Sequence, residues 1–351
     1  MKLALLGGLD ARTFLRRHWQ KRPLFVRGAL ERPGAIVDKR TLFSLASRND
    51  VESRIVTKAR RRRSTEHGPF DNTGVFPKRN ATLLVSGVNL HVRAAERLLR
   101  RFDFIPQARL DDVMVSYAEP GGGVGPHVDS YDVFLIQGPG RRRWIFKDSN
   151  KKQVVVCEPG DLLYLPPGVK HDGVALEPCY TYSVGFRAPR GRELAARFLD
   201  WLHERGLPDA LYRDPNLRAA ARPAAIPREM AAFAARTLGR IAWTEADVAR
   251  FLGSYLSEPK AHVVFRPSAG AARLERSLVE LDAKTQLLYR DAWFFLNGEA
   301  FALRGREARL LRELADRRGL DGKRAARSGL RRLVYDWRRA GFLHFRKPPR
   351  P

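Results

Sequence analysis

Between residues 81 and 186 the sequence repeats one event: a short run rich in β-branched and aromatic side chains, closed by Gly, Pro, Asn or Asp. ATLLVSGV, DDVMVSY, YDVFLIQ, RRRWIF, QVVVC, DLLYL and YTYSVGF follow one another in this way. Runs of this length are too short for helices that span a core, and their regular punctuation favours hairpins. The stretch is therefore expected to fold as an antiparallel barrel or sandwich.

The flanks have a different grammar. Residues 11–30 suggest a helix with a basic face and then a short strand in PLFVRGA. Four consecutive arginines, Arg60 to Arg63, followed by polar residues, read as an exposed loop. After Pro189, RELAARFLDWLHERG and REMAAFAARTLGRIA carry apolar residues at helical spacing, and Thr244 is placed to cap a further helix that opens at Glu245. From about residue 259 come LVELD, TQLLYR, a hairpin marked by Asn297-Gly298, two basic helices over 304–318 and 322–340, and a closing FLHFR. Strands around a helix pair suggest a winged-helix-like unit. A chain of 351 residues with 44% apolar content exceeds a single core and can fill two or three.

Charge narrows the partners. The formal net charge is +27, a field that favours polyanions such as RNA or a ribonucleoprotein. Only 13 of the 65 basic residues are lysine, so biased genomic composition accounts for the arginines equally well. Two cysteines, Cys157 and Cys179, cannot build a disulfide framework. With no early apolar stretch suited to a signal peptide or membrane span, a cytoplasmic location is expected.

One segment, GGGVGPHVDSYDVFLIQ at 121–137, carries chemistry. His127 and Asp129 are one residue apart, so on an extended chain both side chains leave the same face. A third ligand would complete the two-histidine, one-carboxylate set that keeps positions open on Fe(II). His171, after the rigid Pro166-Pro167-Gly168 turn, is the candidate, because antiparallel strands can return it to the pair. Taken singly, an HxD pair occurs by chance and His171 reads as an ordinary turn histidine. Their order raises the pattern above either: glycine loop, HxD, strands, turn, histidine, returning strand. The other histidines have no comparable partners.

GGGVGPHVDSYDVFLIQGPGRRRW, EPGDLLYLPPGVKHDG and YSVGFRAPR together resemble the bacterial ribosomal oxygenases, JmjC-type cupin enzymes that hydroxylate an arginine of large-subunit ribosomal protein sixteen. The match is dense over residues 108–190, and the order of the later segments fits as well. The resemblance implies an α+β fold: a double-stranded β-helix (JmjC/cupin) barrel over 1–190, a helical dimerisation region over 191–258 and a C-terminal winged-helix domain over 259–351. It also implies Fe(II) on His127, Asp129 and His171, with 2-oxoglutarate as cosubstrate and O2 as oxidant. Arg142, the middle arginine of RRRW, takes the place of the anchor for the distal carboxylate of 2-oxoglutarate. A planar guanidinium suits that task. Ser116 matches an assisting hydroxyl.

For the substrate, the resemblance places Asp112 against the target guanidinium and Met114 and Tyr131 along its aliphatic stem, with hydroxylation at the arginine β-carbon. Asp111 is the alternative carboxylate, since strand neighbours face opposite sides and only one is expected to point inward. The connection from Ile145 to Cys157 is shorter than the family usually carries, and the strong positive charge is atypical. Repulsion would slow encounter with a free basic protein. An assembling ribosomal particle, whose RNA is negative, removes that difficulty and also invites RNA contact with the basic surface. Two rivals remain: a histidine-directed hydroxylase of the same superfamily, and a non-catalytic winged-helix protein that binds nucleic acid.

Overall fold

The computed structural model describes residues 2–31, 34, 36–59, 62–70, 76–149, 151–267 and 273–347. They gather into two compact units: one from the described residues of Met1–Ala188, Pro259–Thr285 and Asp316–Pro351, the other from Pro189–Glu258 and Gln286–Ala315.

The first unit opens with helix α1 (Ala11–Arg17), which Asp10 caps by accepting the amide of Thr13 at 2.9 Å. Strand β1 (Leu24–Val26) and helix α2 (Lys39–Ala46) follow, then β2 (Ser53–Ala59), β3 (Arg62–His67), β4 (Ala81–Val85) and helix α3 (Arg93–Arg100). Next come β5 (Leu110–Ala118), β6 (Val133–Gln137), β7 (Arg142–Asp148), β8 (Lys151–Cys157), β9 (Leu162–Leu165), β10 (His171–Ala175) and β11 (Cys179–Phe186). Eight of these strands form one sheet in the order β1-β9-β6-β11-β5-β4-β2-β3; the other three pair as β10-β7-β8.

Period-two alternation decides what each face of the large sheet does. Val113, Val115 and Tyr117 of β5, with Phe134, Ile136, Tyr164 and Tyr182, pack on one side against Phe14, Leu42 and Leu98 of the helices. The opposite positions, Val133, Leu135, Leu163 and Leu165, meet Trp144 and Phe146 of the small sheet. The two sheets thus close on each other, and between them lies the barrel interior.

Three strands of these two sheets were not anticipated: β2, β3 and β10. Arg62 and Arg63, expected in a loop, lie on β3, whose register pairs Arg63 with Lys58 of β2; Arg60 and Arg61 lie outside the described residues. Every residue of β3 is exposed. It is a sheet edge, where charge replaces apolar alternation, so the usual strand signal is missing. Strand β10 escaped for a related reason: HDGVA has no apolar run, yet it pairs along β7 with His171 opposite Phe146.

The chain continues through α4 (Gly191–Glu204), α5 (Arg228–Leu238) and α6 (Glu245–Ser257). Thr244 caps α6 as expected, its hydroxyl accepting the amide of Asp247 while the Asp247 side chain accepts the Thr244 amide. Strand β12 (Leu278–Leu281) precedes a three-stranded meander of β13 (Leu287–Arg290), β14 (Trp293–Leu296) and β15 (Glu299–Ala302). At the β14–β15 turn Asn297 and Gly298 both have positive φ, +50° and +96°, the two-residue hairpin geometry that an Asn-Gly pair favours. Helix α7 (Gly305–Arg317), strand β16 (Gly319–Asp321), helices α8 (Gly322–Ala326) and α9 (Arg331–Arg339) and strand β17 (Leu343–Arg346) end the described fold, with β16-β12-β17 as a further sheet. The second basic helix is therefore two. Ser328 and Gly329 interrupt it, and the Ser328 hydroxyl donates to the Ala325 carbonyl rather than extending the ladder.

Candidate metal centre

The glycine loop delivers His127 to the one place where it meets β10. His127 and His171 exchange both backbone hydrogen bonds at 3.0 Å, forming an isolated antiparallel bridge that sets their imidazoles side by side with ring centroids 4.2 Å apart. Two residues on, Asp129 projects to the same side, and its carbonyl accepts the amide of Gly168 at 2.9 Å, which pins the Pro-Pro-Gly turn against it. Gly168 has φ +83°, a left-handed conformation that suits glycine, so the turn residue is dictated by backbone shape. His171 is buried on a strand, and the turn-histidine reading is set aside.

From this scaffold three donors converge. His127 Nε2 lies 3.8 Å from Asp129 Oδ1, and His171 Nε2 lies 3.6 Å from Asp129 Oδ2. One ligand atom from each residue falls within 4.8 Å of the others. The Nδ1 atoms face backbone carbonyls, of Gly125 for His127 and of Val169 for His171, each at 2.9 Å. A carbonyl only accepts, so each Nδ1 carries a proton and Nε2, on the Asp129 side, is the nitrogen left to ligate a metal. Burial lowers the pKa of His171, which favours the neutral, ligating form.

The donors open into a cavity of about 510 Å³. Deep in it lies Arg142 of β7, buried, with its guanidinium carbon 5.7 Å above the Trp144 ring. Its Nε and Nη2 have no hydrogen-bond partner among the described residues, and neither do Thr82 Oγ1 and Thr181 Oγ1, all of which line the same space. Unpaired buried donors are costly. Because they line one cavity, an acceptor there would complete the set, and a carboxylate fits a guanidinium edge best. Ser116 stands beside Thr181 in the cross-strand register and lines the cavity too. Sequence reasoning passed over Thr82 and Thr181; their signal is polarity at inward positions of otherwise apolar strands.

At the mouth, Met114, Tyr131, Asp111 and Asp112 line the cavity. Burial, followed by the nearby Asp129 carboxylate, pushes the Tyr131 hydroxyl up to about 12, so it stays a neutral donor. Asp112 is buried, accepts the Gly87 amide at 2.8 Å, and has its pKa raised by that burial. The expectation that only one of the neighbouring carboxylates faces inward is corrected. Between Val113↔Val184 and Leu110↔Phe186 the register slips, so Asp111 and Asp112 together oppose Gly185. A bulge of this kind turns two consecutive side chains toward one side. Both carboxylates then reach Lys260, which sequence reasoning missed: its Nζ lies 3.1 Å from Asp111 Oδ1 and 3.5 Å from Asp112 Oδ2. No local motif announces it, since it sits in coil far along the chain.

Comparison with known proteins agrees with this geometry. A JmjC domain family model matches residues 97–157 and 145–194, and a ROXA-like winged helix model matches 240–344. Among curated proteins, the ribosomal protein uL16 3-hydroxylase of Escherichia coli is 41% identical over 236 residues, 62% of this chain and 63% of the relative. A probable ribosomal oxygenase of Haemophilus influenzae is 37% identical over 199 residues, 50% of this chain and 49% of the relative. These alignments span less than two thirds of either relative's length. Solved structures match more fully: YcfD, a ribosomal oxygenase from E. coli, superposes with TM-score 0.79 and 31% identity over 96% of this chain and 98% of its own. A YcfD complex with cobalt and 2-oxoglutarate matches with TM-score 0.78 and 32% identity over the same shares. The fold is thus α+β, a JmjC cupin barrel with helices and a ROXA-like winged helix, and the chain belongs to the ribosomal oxygenase family.

Proposed function

We propose that this protein is an Fe(II)- and 2-oxoglutarate-dependent hydroxylase acting on the β-carbon of an arginine in ribosomal protein uL16. The single observation that carries the reading is the meeting, in one cavity, of the His127, Asp129 and His171 donors with the unpaired guanidinium of Arg142. Two imidazoles and one carboxylate suit Fe(II) and leave positions free. When bound, the metal with 2-oxoglutarate and O2 supplies C–H hydroxylation, releasing succinate and CO2. The chain's own residues position the partners. Asp129 gives the anionic ligand, and the two histidines are fixed in the ligating tautomer by their carbonyl contacts. Arg142, with Ser116 and Thr181 beside it, holds the far carboxylate of the cosubstrate. Asp112 and Asp111 receive the target guanidinium, while Met114 and Tyr131 flank its stem.

The carboxylate pair favours a cationic target over a neutral imidazole, which weighs against a histidine-directed hydroxylase. A non-catalytic nucleic-acid-binding scaffold has no use for an unpaired buried arginine facing three metal donors. In the division of labour proposed here, residues 1–190 carry the chemistry, 191–258 form a homodimer contact and 259–351 engage the protein partner. Exposed apolar side chains on the second unit, Leu199, Leu238 and Trp243 among them, support the dimer. The charge of +27 supports contact with RNA in an assembling ribosomal particle, and a cytoplasmic location goes with that reading. Among the described residues no helix is long and apolar enough to cross a membrane.

The test is succinate formation by the purified chain, dependent on iron and 2-oxoglutarate, together with mass spectrometry of ribosomal proteins from cells with and without the gene. One added oxygen on a uL16 arginine is expected. Its absence from every ribosomal protein would remove the reading.

A further inference from the structure

The subsite proposed for the target guanidinium already holds a cation of the chain itself. Lys260 lines the same cavity as the three metal donors, and its ammonium touches both carboxylates that the β5 bulge turns inward. Asp112 has a second partner in the Gly87 amide, and Asp111 has one in Arg187 Nε at 3.6 Å, so the carboxylates are seated without the lysine. Lys260 itself comes from coil after α6, and its side chain keeps 31% exposure. Burial drags the Lys260 pKa down, but the Asp112 and Asp111 charges outweigh it and the net shift is upward, so the amine stays protonated. The geometry is that of a tethered cation resting in an anionic subsite.

We propose that Lys260 is a resident competitor that sets specificity: its ammonium fills the Asp111–Asp112 subsite in the free protein, and a substrate side chain enters only by displacing it. This rests on the reading of the cavity mouth as the site for a target guanidinium. Displacement favours arginine for a physical reason. An ammonium is a strongly hydrated point charge on a flexible stem, which returns to water readily. A guanidinium is planar, weakly hydrated and forked, and can meet the two carboxylate groups with parallel hydrogen bonds. A neutral imidazole gains too little to expel the lysine, and a substrate lysine offers no more than the resident one. Selectivity then comes from an interaction that must be broken as well as from one that is made. A subsite open only part of the time lowers apparent affinity by the open fraction.

The test uses the full-length chain with Lys260→Met, which keeps the stem and removes the charge, and Lys260→Arg, which installs a stronger plug. With iron and 2-oxoglutarate, the KM for a peptide carrying the target arginine is expected to fall by about tenfold in Lys260→Met and to rise in Lys260→Arg. The preference for arginine over histidine in that peptide should shrink in Lys260→Met. Calorimetric titration of the metal-free protein with methylguanidinium gives a second readout, with tighter binding expected in Lys260→Met. An unchanged or raised KM for Lys260→Met, or unchanged methylguanidinium binding, would overturn the inference and make Lys260 a support for the carboxylates. Failure of the functional reading looks different: the wild-type chain then hydroxylates no arginine, and the methylguanidinium titration still decides the role of Lys260.

Discussion

Asp129 and Arg142 divide the work of the cavity, and substitution should separate their roles. Asp129→Ala leaves two imidazoles without an anion and should weaken metal binding by about 100-fold or more, abolishing 2-oxoglutarate turnover with it. Arg142→Lys keeps the donors intact and should retain metal while raising the KM for 2-oxoglutarate about tenfold, because an ammonium cannot grip a carboxylate along two parallel bonds. Metal titration alongside succinate assays distinguishes these outcomes; equal loss of metal in both variants would refute the division. A second residue-scale prediction concerns acid. Burial, with Arg48, Lys284 and His262 nearby and only Asp50 opposing, lowers the pKa of His91 to about 4. The unfolded chain therefore binds a proton that the folded one refuses between about pH 6.5 and 4, so stability falls as pH drops through that window. His91→Asn should flatten the fall by about one proton in denaturant melts across pH 4–7, and parallel curves would show that another group governs it. At this scale the His127–Asp129 pair was legible because HxD spacing on an extended chain is local, whereas His171 was tied to it only by strand order and the family resemblance. Lys260 and the inward turn of Asp111 were not: one depends on a distant coil, the other on cross-strand register.

Elements were legible where one periodicity dominated. The runs from β4 to β9 and β11 have apolar positions on faces that pack against the helices or the opposing sheet, and the Asn297-Gly298 pair marks its hairpin by backbone preference alone. Strands β3 and β10 lacked that pattern, and the break between α8 and α9 rested on two weak helix formers inside a basic stretch. In the second unit, packing rests on a missing side chain. A Cβ on Gly253 of α6 would fall 2.3 Å from the Phe295 ring of β14, and Phe295 is 2% exposed with no room to swing away. Gly253→Ala gains about 1 kcal/mol of helix propensity but should lose about 1–3 kcal/mol to overpacking. A lowered Tm is expected, with partial recovery in the Gly253→Ala, Phe295→Leu double variant. A stabilised single variant would show that α6 shifts freely over the meander.

For the whole molecule, the helices of the second unit pose the question of what covers them. Neither α4 nor α5 buries a residue, and Leu199 and Leu238 are 61% and 64% exposed. A stable twin contact needs at least about 1,000 Å². Leu199→Glu with Leu238→Glu should convert a dimer into monomers in sedimentation velocity, with uncoupled succinate formation retained. A wild-type chain that sediments as a monomer at micromolar concentration would end the dimer proposal. The division into units was the least legible feature, since composition changes along the sequence say nothing of which distant segments rejoin.

That rejoining bears on how the molecule is made. The chain passes between its units after residues 188, 258, 285 and 315, and strand β17 at Leu343–Arg346 pairs with β12 in the unit that also holds the barrel. During translation the barrel strands emerge early, but their unit stays unfinished until the segments that begin at residues 259 and 316 have also left the exit tunnel. The lysine at the cavity mouth arrives with the first of these segments. The contact between that lysine and the acidic pair is therefore among the late ones that the barrel unit can make.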